Sequence, residues 1–252
     1  MIYEVVDKHS IANLFHGWQE SLITSCLQDC MGKAYCDDVH HPQSAMIVVD
    51  VFCFFAGKAN DELIQTAYQD KEFMILTPQN EEWQKQIIHI CKDKAHKAVR
   101  YAIKKEGNIF NKETLVQYVE CLPEGYCLKV IDKELYHQVM SQEWSKDLCS
   151  VFRDVEEYLS FGLGVVAIKE GEVVSGASSY VYYKQGIEIE IDTRRDERRN
   201  GLALACAASL LLLCIERDWY PSWDAQNKNS VALAEKLGYH FDKEYVVYEV
   251  YK

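Results

Sequence analysis

Near the N-terminus apolar residues recur at helical spacing. Ile11, Leu14, Phe15, Trp18, Leu22 and Cys26 share one face, with Ser10 as an N-cap candidate and Gly32 just past the end. The spacing predicts one amphipathic helix over 10–30. Lys33 to Asp37 and Ala45 to Phe55 then read as two strands, joined by a polar Asp-Asp-Val-His-His-Pro-Gln loop and closed by Gly57. Short helices are predicted over 60–69 and 81–92, strands over 73–76 and 97–104, and a helix over Asn111 to Cys121. Leu122-Pro123-Glu124-Gly125 interrupts the pattern, because Pro followed by Gly is a strong chain punctuator. It sets the expected boundary between an N-terminal α/β domain, 1–122, and a second domain, 123–252.

The second half is more regular. Tyr126 to Ile131 reads as a strand, followed by helical segments up to about Phe161. Gly164 to Lys169 and Val173 to Tyr183 form a hairpin closed by Glu170-Gly171-Glu172. Gly186 to Thr193 is a strand, Leu202 to Arg217 a helix, Tyr220 to Asp224 a strand, Asn229 to Leu237 a helix and Tyr239 to Val250 a strand. This order predicts an α/β (α+β) protein in which a twisted sheet carries packed helices. The strands flanking the His40-His41 loop loosely echo the 164–183 hairpin. A decayed internal duplication, with the N-terminal domain as a degenerate half, is one reading of that echo, and no residue-level repeat accompanies it.

Composition narrows the function classes. The 252-residue chain is 48% hydrophobic and 26% charged, which excludes disordered and low-complexity classes. Lys and Arg number 27 against 39 Asp and Glu, a net charge of −12 that disfavours nucleic acid as a partner. The longest uncharged apolar stretch, Leu202 to Ile215, is 14 residues, too short for a membrane span and expected to be a buried helix. The ten cysteines sit mostly in apolar runs, and Met1 to Asp7 carries no basic-then-apolar signal pattern. They are expected to be reduced thiols of a cytoplasmic protein. Cys26, Cys30, Cys36, His40 and His41 lie close together but lack paired metal-ligand spacing, so no metal is expected. Neither a C-x-x-C redox motif nor a G-x-S-x-G nucleophile elbow occurs.

The sharpest chemical signal is Arg198-Arg199-Asn200-Gly201-Leu202-Ala203, which follows a strand and opens a long helix. A helix start exposes unpaired N–H groups and the positive end of the dipole, and Gly201 and Ala203 let the backbone approach a phosphate closely. R-x-x-G-x-A after a strand resembles the acetyl-CoA pyrophosphate loop of the GNAT superfamily of N-acetyltransferases. Downstream, Asn227-Lys-Asn-Ser230 leading to Leu237-Gly238-Tyr239 is similar to the superfamily's later motif, and the preceding hairpin, strand, loop and helix come in its order. The likeness covers roughly 126–252. The wording from Tyr220-Pro-Ser-Trp-Asp-Ala-Gln-Asn to Leu-Gly-Tyr more closely resembles the zwittermicin-resistance-type branch. That closer resemblance extends to Phe54-Phe55-Ala56-Gly57 and Leu122 to Tyr126.

The resemblance implies a GNAT fold with a mixed central sheet whose two parallel strands splay apart, the pantetheine of acetyl-CoA lying in the gap. Gly186 to Thr193 and Tyr220 to Asp224 match those strands. The backbone around Ile191 and Thr193 would hold the acetyl carbonyl. The amides of Arg199 to Ala203, including Asn200 and Leu202, would take the pyrophosphate behind Arg198. Asn227 would bond the pantetheine or cap the helix after it.

Transfer of acetyl to an amine needs a base, since the acceptor is mostly an ammonium at neutral pH. Glu188, Glu190 and Asp192 alternate with Ile187, Ile189 and Ile191, placing three acids on one strand face. Glu188 or Glu190 is the expected base, and the acidic face favours a small cationic amine as acceptor. The family's usual acid, a Tyr four residues before the Gly of Leu-Gly-aromatic, is replaced by Ala234. Tyr180, Tyr182, Tyr183 and Tyr239 are candidate substitutes. The alternative is a non-catalytic acyl-CoA-binding or sensing protein. The N-terminal domain is expected to complete the acceptor pocket or to form a homodimer surface.

Overall fold

The computed structural model describes every residue of the chain except Asp70. It contains two compact units, Met1–Arg100 with Glu244–Lys252, and Tyr101–Lys243. The first contains β1 (Tyr3–Glu4), α1 (His9–Ala12), α2 (Ser21–Leu27), β2 (Lys33–Cys36), β3 (Ser44–Val49), β4 (Phe52–Gly57), α3 (Asp61–Tyr68), β5 (Phe73–Pro78) and α4 (Glu81–Cys91). The chain leaves this unit within β6 (Ala95–Ile103). The second contains α5 (Lys112–Glu120), β7 (Tyr126–Val130), α6 (Lys133–Met140), α7 (Val155–Phe161), β8 (Gly164–Lys169), β9 (Glu172–Tyr183), β10 (Gly186–Thr193), α8 (Leu202–Glu216), β11 (Tyr220–Ser222), β12 (Asp224–Ala225) and α9 (Lys228–Lys236). The return is within β13 (Phe241–Tyr251). The division thus falls between Arg100 and Tyr101, and the Leu122–Gly125 turn lies inside the second unit.

Both units use the same order of elements. In each, four strands pair antiparallel in sequence, then a helix crosses over to a fifth strand that runs parallel to the fourth. A helix and a final strand follow. The last strands are exchanged in sequence, because β13 pairs with β5 and the end of β6 pairs with β12. In the first unit Phe55, Leu63, Leu76, Trp83 and Ile87 are buried together. In the second, α8 is apolar on nearly all sides and buried, as such a helix must be. It packs over Val165, Ala177, Ile187 and Ile189.

Two predicted elements are broken in the structure. The single helix over 10–30 is interrupted after Phe15, where Gly17 takes φ +79°, and α2 restarts at Ser21. Helical spacing persists across the break, so periodicity alone could not reveal it. The run Ala45 to Phe55 is a hairpin of β3 and β4 rather than one strand, turning at Asp50, whose φ is +51°. Both strands are buried and show no polar alternation, so Asp50 is the single polar residue in the run.

Candidate active site

The site grows from β10. It pairs in parallel with β11 over only three positions, Gly186 with Tyr220, Ile187 with Pro221 and Glu188 with Ser222. At the pinched end a Cβ on Gly186 would lie 2.0 Å from the Tyr220 carbonyl, so glycine is required there. Beyond Ser222 the chain turns away. Trp223 is buried, its indole N–H donating to the Ser230 hydroxyl at 3.0 Å, and Asp224 and Ala225 pair with Ala102 and Tyr101 instead. Past Glu188, therefore, β10 has an open edge on that side among the described residues.

The polarity of that edge follows from register. The Arg194 N–H donates to the Val174 carbonyl at 2.9 Å, so Arg194, Asp192 and Glu190 direct their backbone groups toward β9. In an antiparallel ladder the intervening residues point the other way. Ile191 and Thr193 accordingly present N–H and C=O groups to the gap. The Thr193 carbonyl accepts from Arg198 Nε at 3.1 Å, and its hydroxyl meets the Ser175 hydroxyl at 2.7 Å.

The loop that follows is shaped for an anion. Arg199 has φ +69° and Gly201 φ +79°, and Gly201 is the N-cap of α8 with no side-chain cap. Every other helix from α3 onward carries an Asn or Asp cap: Asn60, Asn80, Asn111, Asp132, Asp154 and Asn227. Nothing lies within 4 Å of where a Gly201 Cβ would be, so the space in front of α8 is open. Arg198, Arg199, Asn200 and Gly201 are exposed, Ala203 is half-buried and Leu202 anchors the helix in the core. The donor set fits a pyrophosphate, with amides and the dipole end at one point and two guanidinium side chains beside it. The equivalent crossover helix of the first unit, α3, begins with Asn60 capping Leu63 N–H at 3.2 Å and has Asp61 and Glu62 in its first turn.

The acid face of β10 is present as the alternation requires. A register shift in the β9–β10 ladder falls between Glu188 and Ile189, and it leaves Tyr180 unmatched on β9. Ile187 and Ile189 lie under α8, while Glu188 is buried with Lys105 Nζ 3.7 Å from its carboxylate. Glu190 and Asp192 are half-buried. Burial, reinforced by Asp147 and opposed by Arg198, pushes the Asp192 carboxyl up to about 6.

The tyrosines occupy different roles. Tyr183 donates to the Tyr220 carbonyl at 3.1 Å and meets the Ser222 hydroxyl at 2.9 Å, and burial pushes it up to about 12. Tyr239 donates to the Pro221 carbonyl at 2.6 Å. Both brace β11, while Tyr182 is stacked with Phe161 and Tyr180 is buried. Ala234 is fully buried. Asn227 caps α9, accepting from the Asn229 and Ser230 amides at 3.0 and 3.1 Å. Lys105 and Glu197 were not singled out from the sequence. Each sits in a run of charges that reads as solvated surface.

Comparison with known proteins identifies the family. A family model described as GNAT acetyltransferase matches residues 12–248. A Bacillus subtilis (strain 168) protein described as the uncharacterized N-acetyltransferase YdfB is 28% identical over 235 residues, covering 88% of this chain and 86% of its own. The crystal structure of a GCN5-related N-acetyltransferase-like protein from Streptococcus suis 89/1591 is 44% identical, with a TM-score of 0.92 over 97% of this chain and 98% of that one. A tandem GNAT protein from the clavulanic acid biosynthesis pathway shares the fold at 9% identity, with a TM-score of 0.60 over 100% of this chain and 98% of that one. Matched across nearly its whole length, the chain belongs to the GNAT acetyltransferase family of enzymes.

Proposed function

We propose that this enzyme moves an acetyl group from acetyl-CoA to a primary amine of a small, cationic acceptor, by direct attack of the amine on the thioester. The observation that carries this reading is the open edge of β10 leading directly into an uncapped, acid-free helix start. Acetyl-CoA supplies the activated thioester. Amides of Arg199 to Ala203, with Arg198 and Arg199 beside them, bind its pyrophosphate. The Ile191 and Thr193 backbone pairs with its pantetheine, and an N–H there stabilises the developing oxyanion. Asn227 bonds the pantetheine through its side-chain NH2 while its side-chain oxygen caps α9.

Glu188 or Glu190 removes a proton from the acceptor's ammonium, directly or through one water, to give the neutral amine that attacks. The neutral amine attacks the acetyl carbonyl, the adduct collapses with cleavage of the C–S bond, and the departing thiolate takes the proton that the new amide nitrogen sheds. A thiolate is a far better leaving group than an amide nitrogen and departs without a dedicated acid, which accommodates Ala234. The acidic face of β10 on a chain of net charge −12 favours a cationic acceptor. We place the enzyme in the cytoplasm, a setting suited to its ten unbridged cysteines. The wording of Tyr220 to Tyr239 supports membership of the zwittermicin-resistance-type branch.

We read the first unit as a degenerate GNAT half. Its parallel strands β4 and β5 stay paired over four positions, from Phe52 with Ile75 to Phe55 with Pro78. Beyond them Gln79 and Trp83 fill the gap, Gln79 accepting from the Gly57 N–H at 3.1 Å and the Trp83 indole donating to the Gly57 carbonyl at 2.9 Å.

The test is Gly201→Glu. The open space accepts the side chain, and the left-handed φ costs about 1 kcal/mol. The variant should therefore fold with a carboxylate where the pyrophosphate binds, and acetyl-CoA affinity measured by titration calorimetry should be lost. A folded Gly201→Glu chain that binds acetyl-CoA as wild type does would remove the cofactor assignment.

A further inference from the structure

Glu197 ends a 3-10 turn, Arg195–Glu197, one residue before the anion loop. Its side chain is only 6% exposed although the residues around it are solvent-facing. Burying a carboxylate is costly unless both oxygens are satisfied. Here they are. Oε1 accepts from Lys169 Nζ at 2.8 Å and lies 3.6 Å from Arg194 Nη2. Oε2 accepts from the Tyr126 hydroxyl and from Asn200 Nδ2, the latter at 3.2 Å. Lys169 also donates to the Tyr126 hydroxyl at 3.3 Å and lies over its ring. The Lys169 ammonium and then the Tyr126 hydroxyl hold the Glu197 carboxyl below its ordinary range.

The donors come from different parts of the second unit. Tyr126 opens β7, Lys169 ends β8, Arg194 follows β10 and Asn200 belongs to the loop, immediately before Gly201. One carboxylate thus ties the loop to two strands of the sheet on one side, while Arg198 ties it to the Thr193 carbonyl on the other. Arg199 and Gly201, the two left-handed positions, lie on either side of Asn200. Such a backbone is held only where its surroundings over-determine it.

Two effects of the charge oppose one another. A carboxylate near a phosphate site repels the ligand, and a carboxylate that fixes the loop favours it. With an ammonium at 2.8 Å and a guanidinium at 3.6 Å its field is largely cancelled, so the positional effect should dominate.

We propose that Glu197 is a positioning residue for cofactor binding: through Asn200, Tyr126 and Lys169 it holds the Arg198–Gly201 turn in the form whose amides converge on the pyrophosphate of acetyl-CoA. The proposal rests on the acetyl-CoA reading above and assigns Glu197 no contact with the reacting atoms.

The experiment compares the full-length chain with Glu197→Ala, Glu197→Gln and Tyr126→Phe, using two probes. Acetyl-CoA carries the pyrophosphate, and S-acetylpantetheine lacks it. Glu197→Ala is expected to weaken acetyl-CoA by about 10–30-fold, the scale of a lost charge-assisted hydrogen bond, and to leave S-acetylpantetheine within twofold of wild type. Glu197→Gln keeps an oxygen acceptor for Asn200 and should recover most of the loss. If Glu197→Ala does not fold, Tyr126→Phe decides, with the same selective loss at about threefold. Unchanged or tighter acetyl-CoA binding, or equal loss toward both probes, overturns the proposal while leaving the cofactor reading intact. Wild-type protein that binds no acetyl-CoA removes both.

Discussion

Asp192 offers a measurable link between the site and stability. Its carboxyl, ordinarily at 3.8, is pushed up to about 6, chiefly by burial and secondarily by Asp147. For a carboxyl whose folded value is raised, the native state binds a proton that the unfolded chain has released. Stability therefore falls as pH rises from about 4 to about 6 and stays reduced above that. The full difference is about 3 kcal/mol. Between pH 5 and pH 8 the same relation gives about 1.4 kcal/mol. Asp192 keeps part of its surface in solvent, which reduces the expected effect to about 1 kcal/mol. Asp192→Asn removes the ionisation and keeps the size of the side chain. In urea titrations at the two pH values, the variant should gain about 1 kcal/mol more on wild type at pH 8 than at pH 5. An equal gain at both values would show that burial does not raise this carboxyl, and a larger loss at pH 8 would show that the carboxylate is stabilised where it sits; either result refutes the reasoning from burial.

Two further outcomes are expected. Glu188→Gln or Glu190→Gln should retain acetyl-CoA affinity while turnover with a good amine falls ~10²–10⁴-fold, measured across a panel of polyamines, aminoglycosides and amino-acid-like amines; near-wild-type kcat in both variants would move the base elsewhere. Titration calorimetry should give one acetyl-CoA per chain, because α3 begins with a side-chain cap and two acids and the first unit's strand gap is filled by Gln79 and Trp83; a stoichiometry of two would mean that the first unit binds cofactor as well.

What the sequence determined by itself was local. Asn111 and Asn227 mark helix starts because a short polar side chain bonds amides two or three residues on, an interaction that needs no tertiary partner. The three acids of β10 share a face because strand geometry alternates side chains, and Arg198 to Ala203 open a helix for reasons contained in six residues. Tertiary structure decided what depended on distant partners. The helix over 10–30 broke at Gly17, which spacing hides because it persists across the break. The run 45–55 folded into a hairpin at Asp50, which the pattern hides because one polar residue inside a run of buried strand residues does not distinguish a turn from a strand position. The splay of β10 from β11 exists because Asp224 and Ala225 pair with Ala102 and Tyr101, more than a hundred positions away in sequence. Glu197 looks like any loop acid until Tyr126, Lys169 and Asn200 are brought to it. A hydrogen-bonding partner set drawn from several strands is a property of packing, and no pattern of spacing along one chain segment encodes it.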